Sequence, residues 1–314
     1  MPGPPTKNKI DSGYWQLLPA NMKIALLGKP FTEKLVPYIQ GLIDELVARD
    51  TDILVGEQFR ALLQNNINLP ANLQTFRRGD SLEGVNFMFS IGGDGTLLDA
   101  LTYVGAWQIP ILGINTGRLG FLATISYDKI PAAIDALFKG HYSIEERSLI
   151  RADTDQEVFD GINYGLNEFS ILKTDSSTMI VVHTYLDGEY LNSYWADGLI
   201  VATPTGSTGY SLSCGGPVLH PQTNNFVISP VCPHNLNVRP LVVSDKSVIS
   251  FEIEARSNNF LASLDSRSKP VDATVQIAVR RENFNAKLVK ISHVNFLNTL
   301  RSKLNWGLDQ RNTE

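Results

Sequence analysis

Cysteine is scarce: the chain of 314 residues has only Cys214 and Cys232. Two thiols outside any C-x-x-C pattern exclude a disulfide framework and a thiolate zinc site. No apolar run has the length of a membrane span, and the opening MPGPPTKNKIDSGYWQLLPA lacks the apolar centre of a signal peptide. Positive charge is not in excess either. A net charge of −5 leaves no electrostatic footprint for nucleic acid or an anionic membrane, so any phosphate-bearing partner must be held locally. The five histidines, His141, His183, His220, His234 and His293, fall at no metal-ligand spacing, and no metal site built from the chain itself is expected. These absences predict a cytoplasmic protein with neither a nucleic-acid nor a membrane partner.

What is present is an ordinary globular composition, long enough for two domains. Residues 1–20, rich in Pro, Gly and Lys, are expected to be a poorly ordered leader. From 21 to 142, apolar strands (MKIALLG, TDILVG, NFMFSI, IPILGIN) alternate with helical spacings at Leu35–Val47, Phe59–Leu63 and Ile130–Phe138. That alternation predicts a Rossmann-like α/β domain with a parallel sheet covered on both faces. From 143 to 290 the period changes to two, with YLDGEYL a hairpin signal at Asp187–Gly188. This predicts an all-β sandwich. Residues 291–314 return to helical spacing, with a stripe of Val294, Leu297, Leu300 and Leu304, and are expected to pack back on the first domain.

Two stretches carry chemistry. The first is SIGGDGTLLDAL, where a glycine turn between a strand and a helix gathers amide N–H groups that suit phosphate. Asp94 in its middle is either a helix cap or a participant beside the phosphate, accepting the proton of an attacking hydroxyl. The turn is neither a P-loop nor a G-x-G-x-x-G fingerprint. The second stretch, WADGLIVATPTGSTGYSLSCGGPVLHP, packs hydroxyls and free amides around Tyr210, a ring available for stacking. Ser207 lies in no G-x-S-x-G. Asp197 and the pair Asn167–Glu168 add groups suited to carboxamide, amine or ribose hydroxyl. Arg118, in NTGRLGF, is a candidate phosphate contact.

In the order GGDGTLL, GINTGRLGFL, LNEFSI and DGLIVATPTGSTGYSLSCGGP, these blocks resemble the NAD kinases, over most of Met22 to Gly307. GGDG alone is shared with phosphofructokinases and lipid kinases; the last block together with the Asn–Glu pair is specific. The resemblance implies transfer of the γ-phosphoryl of ATP to the 2′-hydroxyl of the NAD adenosine ribose. Asp94 would be the base. Gly92, Gly93, Gly95 and Thr96 would shape the turn around the ATP phosphates, and Mg2+ would arrive with ATP. Asn167 and Glu168 would contact the NAD nucleoside portion, and Asp197 the nicotinamide carboxamide. Thr205, Thr208, Gly209, Tyr210 and Ser213 would line the adenine pocket. Asp265, in LASLDSR, matches a site aspartate that the family follows with glycine, where this chain has Ser266. The family's assemblies imply a homodimer or homotetramer. Two other readings share parts of this pattern: a lipid kinase, which needs an apolar acceptor groove, and a non-catalytic dinucleotide sensor.

Overall fold

The computed structural model describes residues 21–71, 73–117, 120–175, 178–291 and 296–306. In the first unit the strands are β1 (Lys23–Gly28), β2 (Asp52–Gly56), β3 (Gln74–Phe76), β4 (Phe87–Gly92), β5 (Ile111–Asn115) and the short β6 (Ile125–Ser126). Between them run α1 (Val36–Ala48), α2 (Glu57–Leu63) and α3 (Asp94–Val104), followed by α4 (Ile130–Phe138) and β7 (Ser143–Arg147). The sheet order is β3-β2-β1-β4-β5-β20-β7, with β6 beside β5 and β20 formed by Ala286–Lys290. All its pairs are parallel except β20 with β7.

Burial on both faces follows from the uninterrupted apolar strands. In β1, Ile24 and Leu26 enter one core with Leu42 of α1 and Ile134 of α4, while Ala25 and Leu27 enter another with Leu97 and Leu101 of α3. Alternate residues of a strand face opposite ways, so one strand serves two cores.

The second unit is a sandwich of two six-stranded antiparallel sheets. One has the order β15 (Leu241–Ser244), β14 (Asn225–Val231), β13 (Gly198–Ala202), β10 (Glu168–Lys173), β17 (Asn259–Leu264) and β18 (Arg267–Asp272). The other has β12 (Glu189–Ala196), β11 (Ile180–Leu186), β16 (Ile249–Glu254), β19 (Ile277–Arg281), β8 (Ile150–Thr154) and β9 (Tyr164–Gly165). Between them lies a core containing Phe169, Phe226, Phe251 and Phe260. The hairpin expected at Asp187–Gly188 joins β11 to β12, both turn residues having positive φ (53° and 84°), as a two-residue turn with matching twist requires.

Two strands assigned by sequence to the second domain, β7 and β20, pair instead in the first sheet. The reason is physical. β7 is an edge strand, polar and partly exposed through most of SIEER, a texture that the edge of a sandwich sheet shares. The units are also joined by packing, since Leu149 and Leu166 share a core with Leu97, Leu101 and Leu288.

The last described helix, α6, spans Phe296–Leu304, after the four-residue α5 (Tyr210–Ser213). Leu300 is buried, whereas Leu297 is 53% exposed, so the stripe is narrower than the spacing implied; Val294 lies outside the described residues. The Phe296 ring of α6 meets His220, beyond β13, edge-on with centroids 5.6 Å apart.

Candidate active site

At the carboxyl end of the parallel strand β4, where open sheets place their ligands, Gly92 and Gly93 lead straight into Asp94, the first residue of α3. A Cβ on Gly92 would lie 2.1 Å from Thr96 Oγ1, so helix and strand meet too closely for any side chain. Around Gly93 and Gly95 a Cβ would meet nothing within 4 Å. That open space faces the helix N-terminus, whose first N–H groups have no intrahelical acceptor.

Asp94 does not cap α3. Its carboxylate reaches across to the loop after β5 and accepts three successive N–H bonds, from Phe121 (2.8 Å, to Oδ2), Leu122 (3.1 Å, to Oδ1) and Ala123 (2.9 Å, to Oδ1). A Cβ at Gly120 would sit 1.9 Å from Asp94 Oδ1, which explains a glycine ahead of these three residues. Each carboxylate oxygen offers two acceptor positions. Among the bonds described, Oδ1 uses both and Oδ2 uses one, so one lone pair remains for another proton. Arg118, the phosphate candidate in the same loop, lies outside the described residues.

A second clasp has the same form. Asp265, in the turn between β17 and β18, accepts N–H bonds from Leu166 (2.8 Å), Asn167 (2.7 Å) and Glu168 (3.2 Å). A Cβ at Gly165 would come within 2.9 Å of it. The residue keeps some exposure, but its carboxylate is enclosed, and burial raises its pKa against the opposing pull of those N–H groups. Asp265 itself adopts the left-handed backbone (φ 53°), and Ser266 does not; a glycine after Asp265 is therefore not required here.

The clasp fixes Asn167 and Glu168. The Asn167 carbonyl accepts from the Thr203 N–H at 2.8 Å, and a Cβ at Gly206 would lie 2.0 Å from that oxygen, so the loop 203–206 rests on the pair. Glu168 is the unusual member. Its Oε2 is buried without a partner, and burial, with the charge of Asp265 adding to it, pushes its pKa up to about 8. An unpartnered buried carboxyl is costly and points to a function.

The remaining predicted residues line the same loop. Thr205 is buried and its Oγ1 accepts from Arg147 Nη1 (3.1 Å), while Thr208 Oγ1 donates to the Thr205 carbonyl (3.3 Å). Gly209, Tyr210 and Ser213 are exposed, Tyr210 by 40%. Asp197 pairs with Lys173 at 2.6 Å and lies close enough to Tyr210 for its charge to raise the phenol pKa, after the larger effect of burial. Ser207 is fully buried and bonds within the chain, to the Pro204 carbonyl, leaving it no nucleophile's role.

Sequence reading missed a cavity of about 420 Å³ beyond the carboxyl ends of β1, β2 and β3, on the α3 side of the glycine turn. Gly28, Lys29, Arg77, Arg78, Thr96 and Tyr103 are among its lining residues. Lys29 pairs with Asp99 (2.6 Å), Arg77 with Glu57, and the Arg78 guanidinium lies 5.0 Å from the Tyr103 ring centre. The tandem arginines after a short strand were the available signal. Among the described residues, no group of three or more His, Cys, Asp or Glu side chains could hold a metal ion.

The fold is that of the NAD(H) kinases. It superposes on a yeast NADH kinase complexed with NADH with a TM-score of 0.84, at 23% identity over 93% of this chain and 90% of that one. An NAD kinase from Archaeoglobus fulgidus in complex with ATP gives a TM-score of 0.67 at 27% identity, over 90% and 99%. In sequence, residues 24–142 match the ATP-NAD kinase N-terminal domain and residues 166–291 the C-terminal domain. The NAD kinase of Cytophaga hutchinsonii is 53% identical over 93% of this chain and all of its own length; that of Flavobacterium psychrophilum is 43% identical with the same coverage. The chain belongs to the ATP-NAD kinase family.

Proposed function

We infer that the protein phosphorylates NAD at the 2′-hydroxyl of the adenosine ribose, with ATP as donor and Asp94 as general base. The observation that carries the mechanism is the one acceptor position left on Asp94 Oδ2, beside a glycine turn open to phosphate. Three N–H bonds, one to Oδ2 and two to Oδ1, hold the carboxylate in place, so a hydroxyl arriving there finds a fixed acceptor. The ribose oxygen forms its bond to phosphorus as the bond to the β-phosphate oxygen breaks. ADP leaves with that electron pair, and the hydroxyl proton passes to Oδ2. An alcohol is too weak an acid to ionise first, so the proton moves late, and base help of this kind is worth roughly 10²–10⁴ in rate.

Gly92, Gly93, Gly95 and Thr96 border the triphosphate, and the cavity at Lys29, Arg77 and Arg78 is the room beside it for the rest of the donor. Magnesium enters as part of MgATP, a substrate. On the acceptor side, Glu168, largely protonated at neutral pH, can both give and take a hydrogen bond at the nucleoside portion beside Asn167. Thr205, Thr208, Gly209, Tyr210 and Ser213 serve the adenine and Asp197 the carboxamide. The cytoplasm suits two free thiols. A homodimer or homotetramer is supported by Tyr190 and Trp195 exposed on β12.

The test couples NADP formation to an NADP-specific dehydrogenase, with purified protein, MgATP and NAD. Asp94→Asn should keep NAD binding by calorimetry and lose most turnover. Unchanged turnover in that variant removes the base assignment.

A further inference from the structure

One buried row of charge takes no part in the mechanism so far. Arg147 and Glu145 of β7 and Lys290 of β20 lie on one face of the first sheet, because Arg147 pairs with Ala286 and Glu145 with Leu288, two residues from Lys290. Ala286 and Leu288 enter the core of α3, so this is the face on which α3 packs, and α3 begins with Asp94. Lys290 ends its strand at the same carboxyl edge as the glycine turn, since β20 runs parallel to β5 and β5 to β4. Its Nζ is 3.6 Å from Glu145 Oε2, which is 3.0 Å from Arg147 Nη2. Arg147 in turn holds Thr205 through Nη1, and its Nε is buried without a partner.

The three side chains are only 16% (Lys290), 17% (Glu145) and 4% (Arg147) exposed. Two cations share one carboxylate, so the row keeps one uncompensated positive charge in a poorly solvated place. Buried charge of that kind is retained where something negative meets it. Asp94, at the start of α3 on this face, forms no ion pair with Lys290 among the described residues and is the weakest of the charges that act on its ammonium. Burial lowers the Lys290 pKa, the Arg147 charge lowers it further, and Glu145 and Asp94 oppose both.

We propose that Lys290, braced by Glu145 on the α3 face of the sheet, is a further catalytic residue: its ammonium binds the oxygens of the phosphoryl group in transit beside Asp94. The inference rests on the reading of Asp94 as the base. A phosphoryl group between donor and acceptor spreads negative charge over its equatorial oxygens, and a fixed, desolvated cation stabilises it far more than a mobile surface lysine would. Arg147 extends the same row to Thr205, so the cation and the acceptor loop keep one relative position.

The experiment compares Lys290→Gln, Lys290→Arg and Asp94→Asn in the coupled assay, with NAD affinity by calorimetry and thermal melting as controls for folding. Lys290→Gln should lower kcat by about 10²-fold while the NAD Kd stays within about threefold, and Lys290→Arg should recover at least about tenfold of the loss. A merely structural lysine would give equal losses in Gln and Arg, tracking the melting temperature, and that result overturns the proposal. So does a Gln variant with kcat within about threefold of the unsubstituted protein while Asp94→Asn is inactive. If Asp94→Asn is itself fully active, the base assignment falls and this inference with it. Should the Gln variant fail to fold, Lys290→Met, neutral and suited to a buried place, takes its position in the same comparison: a kcat within about threefold of the unsubstituted protein refutes the role, and a loss that Lys290→Arg recovers supports it.

Discussion

Glu168→Gln should stabilise the unliganded protein, by an amount that grows with pH. In the folded chain the Glu168 carboxyl has its pKa raised to about 8, first by burial and then by Asp265, against an ordinary value of 4.5. The folded state therefore holds a proton that the unfolded state has released, and stability falls as pH rises between these two values. Below about pH 4.5 both states are protonated and the side chain costs nothing by this route. Above it, each pH unit removes about 1.4 kcal/mol until the folded group also ionises near pH 8. Relaxation of the site reduces the total, so roughly 2–5 kcal/mol should separate Gln from Glu at pH 8. Glutamine keeps the shape and cannot ionise, so the whole pH-dependent part disappears. The assay is urea denaturation of both proteins from pH 5 to 8.5, taking the difference in unfolding free energy at each pH. A difference that rises through the window and then levels confirms a desolvated carboxyl. A constant difference would mean that Glu168 ionises like a surface carboxylate, and the desolvation argument would be wrong. An amide, like a protonated carboxyl, both gives and takes hydrogen bonds, so the same variant should keep NAD binding at neutral pH; a lost calorimetric affinity would mean that the ionised carboxylate is the binding form.

Gly120→Ala places a methyl within 1.9 Å of Asp94 Oδ1; the clasp must open, costing roughly 1–3 kcal/mol of stability and most of the turnover, as a melt and the coupled assay can show. Tyr210→Ala should weaken NAD binding by roughly 1–3 kcal/mol through lost stacking, and an unmoved calorimetric Kd would take Tyr210 out of the adenine pocket. Ser266→Gly should leave stability unchanged or lower it by up to about 1 kcal/mol, since Ser266 does not need a positive φ and glycine only loosens the unfolded chain; a clear gain in melting temperature would contradict this.

Much of the architecture was legible because local period and global layer agree. The doubly buried strands β1, β2, β4 and β5 are continuous apolar runs, and α4 spans the residues its spacing marked, Ile130–Phe138. The edge strand β7 and the returning strand β20 were not legible. A polar edge strand reads the same in a sandwich and at the rim of a mostly parallel sheet, and a strand that returns to pair with residues 139 or more positions upstream leaves no local trace. At the site, the glycine turn and the Asn–Glu pair carry signals in their own residues. The partners of Asp94 could not be read in advance, because they are backbone N–H groups, which every sequence offers everywhere. Only Gly120 and Gly165, emptied of a side chain to admit a carboxylate, mark the two clasps, and a glycine in a loop has many other possible reasons. The row of Glu145, Arg147 and Lys290 depends on a pairing across 143 residues (Leu288 with Glu145 lies at its centre), which no spacing encodes.

On the proposed reading, the two aspartate clasps explain how this fold keeps a carboxylate beside phosphate. A carboxylate in a glycine turn repels the anion that the turn attracts, unless something cancels its charge without consuming it. Three aimed N–H dipoles do that at Asp94, spreading the charge into the loop after β5 while leaving one lone pair facing outward. At Asp265 the same device holds backbone only, and the site is built one step further on, at Asn167 and Glu168. The difference between the two is place: Asp94 stands at the carboxyl end of β4, whereas the carboxylate of Asp265 is enclosed in the turn between β17 and β18. The same bonding thus makes one carboxylate a part of the frame and, on the proposed reading, holds the other where it receives a proton.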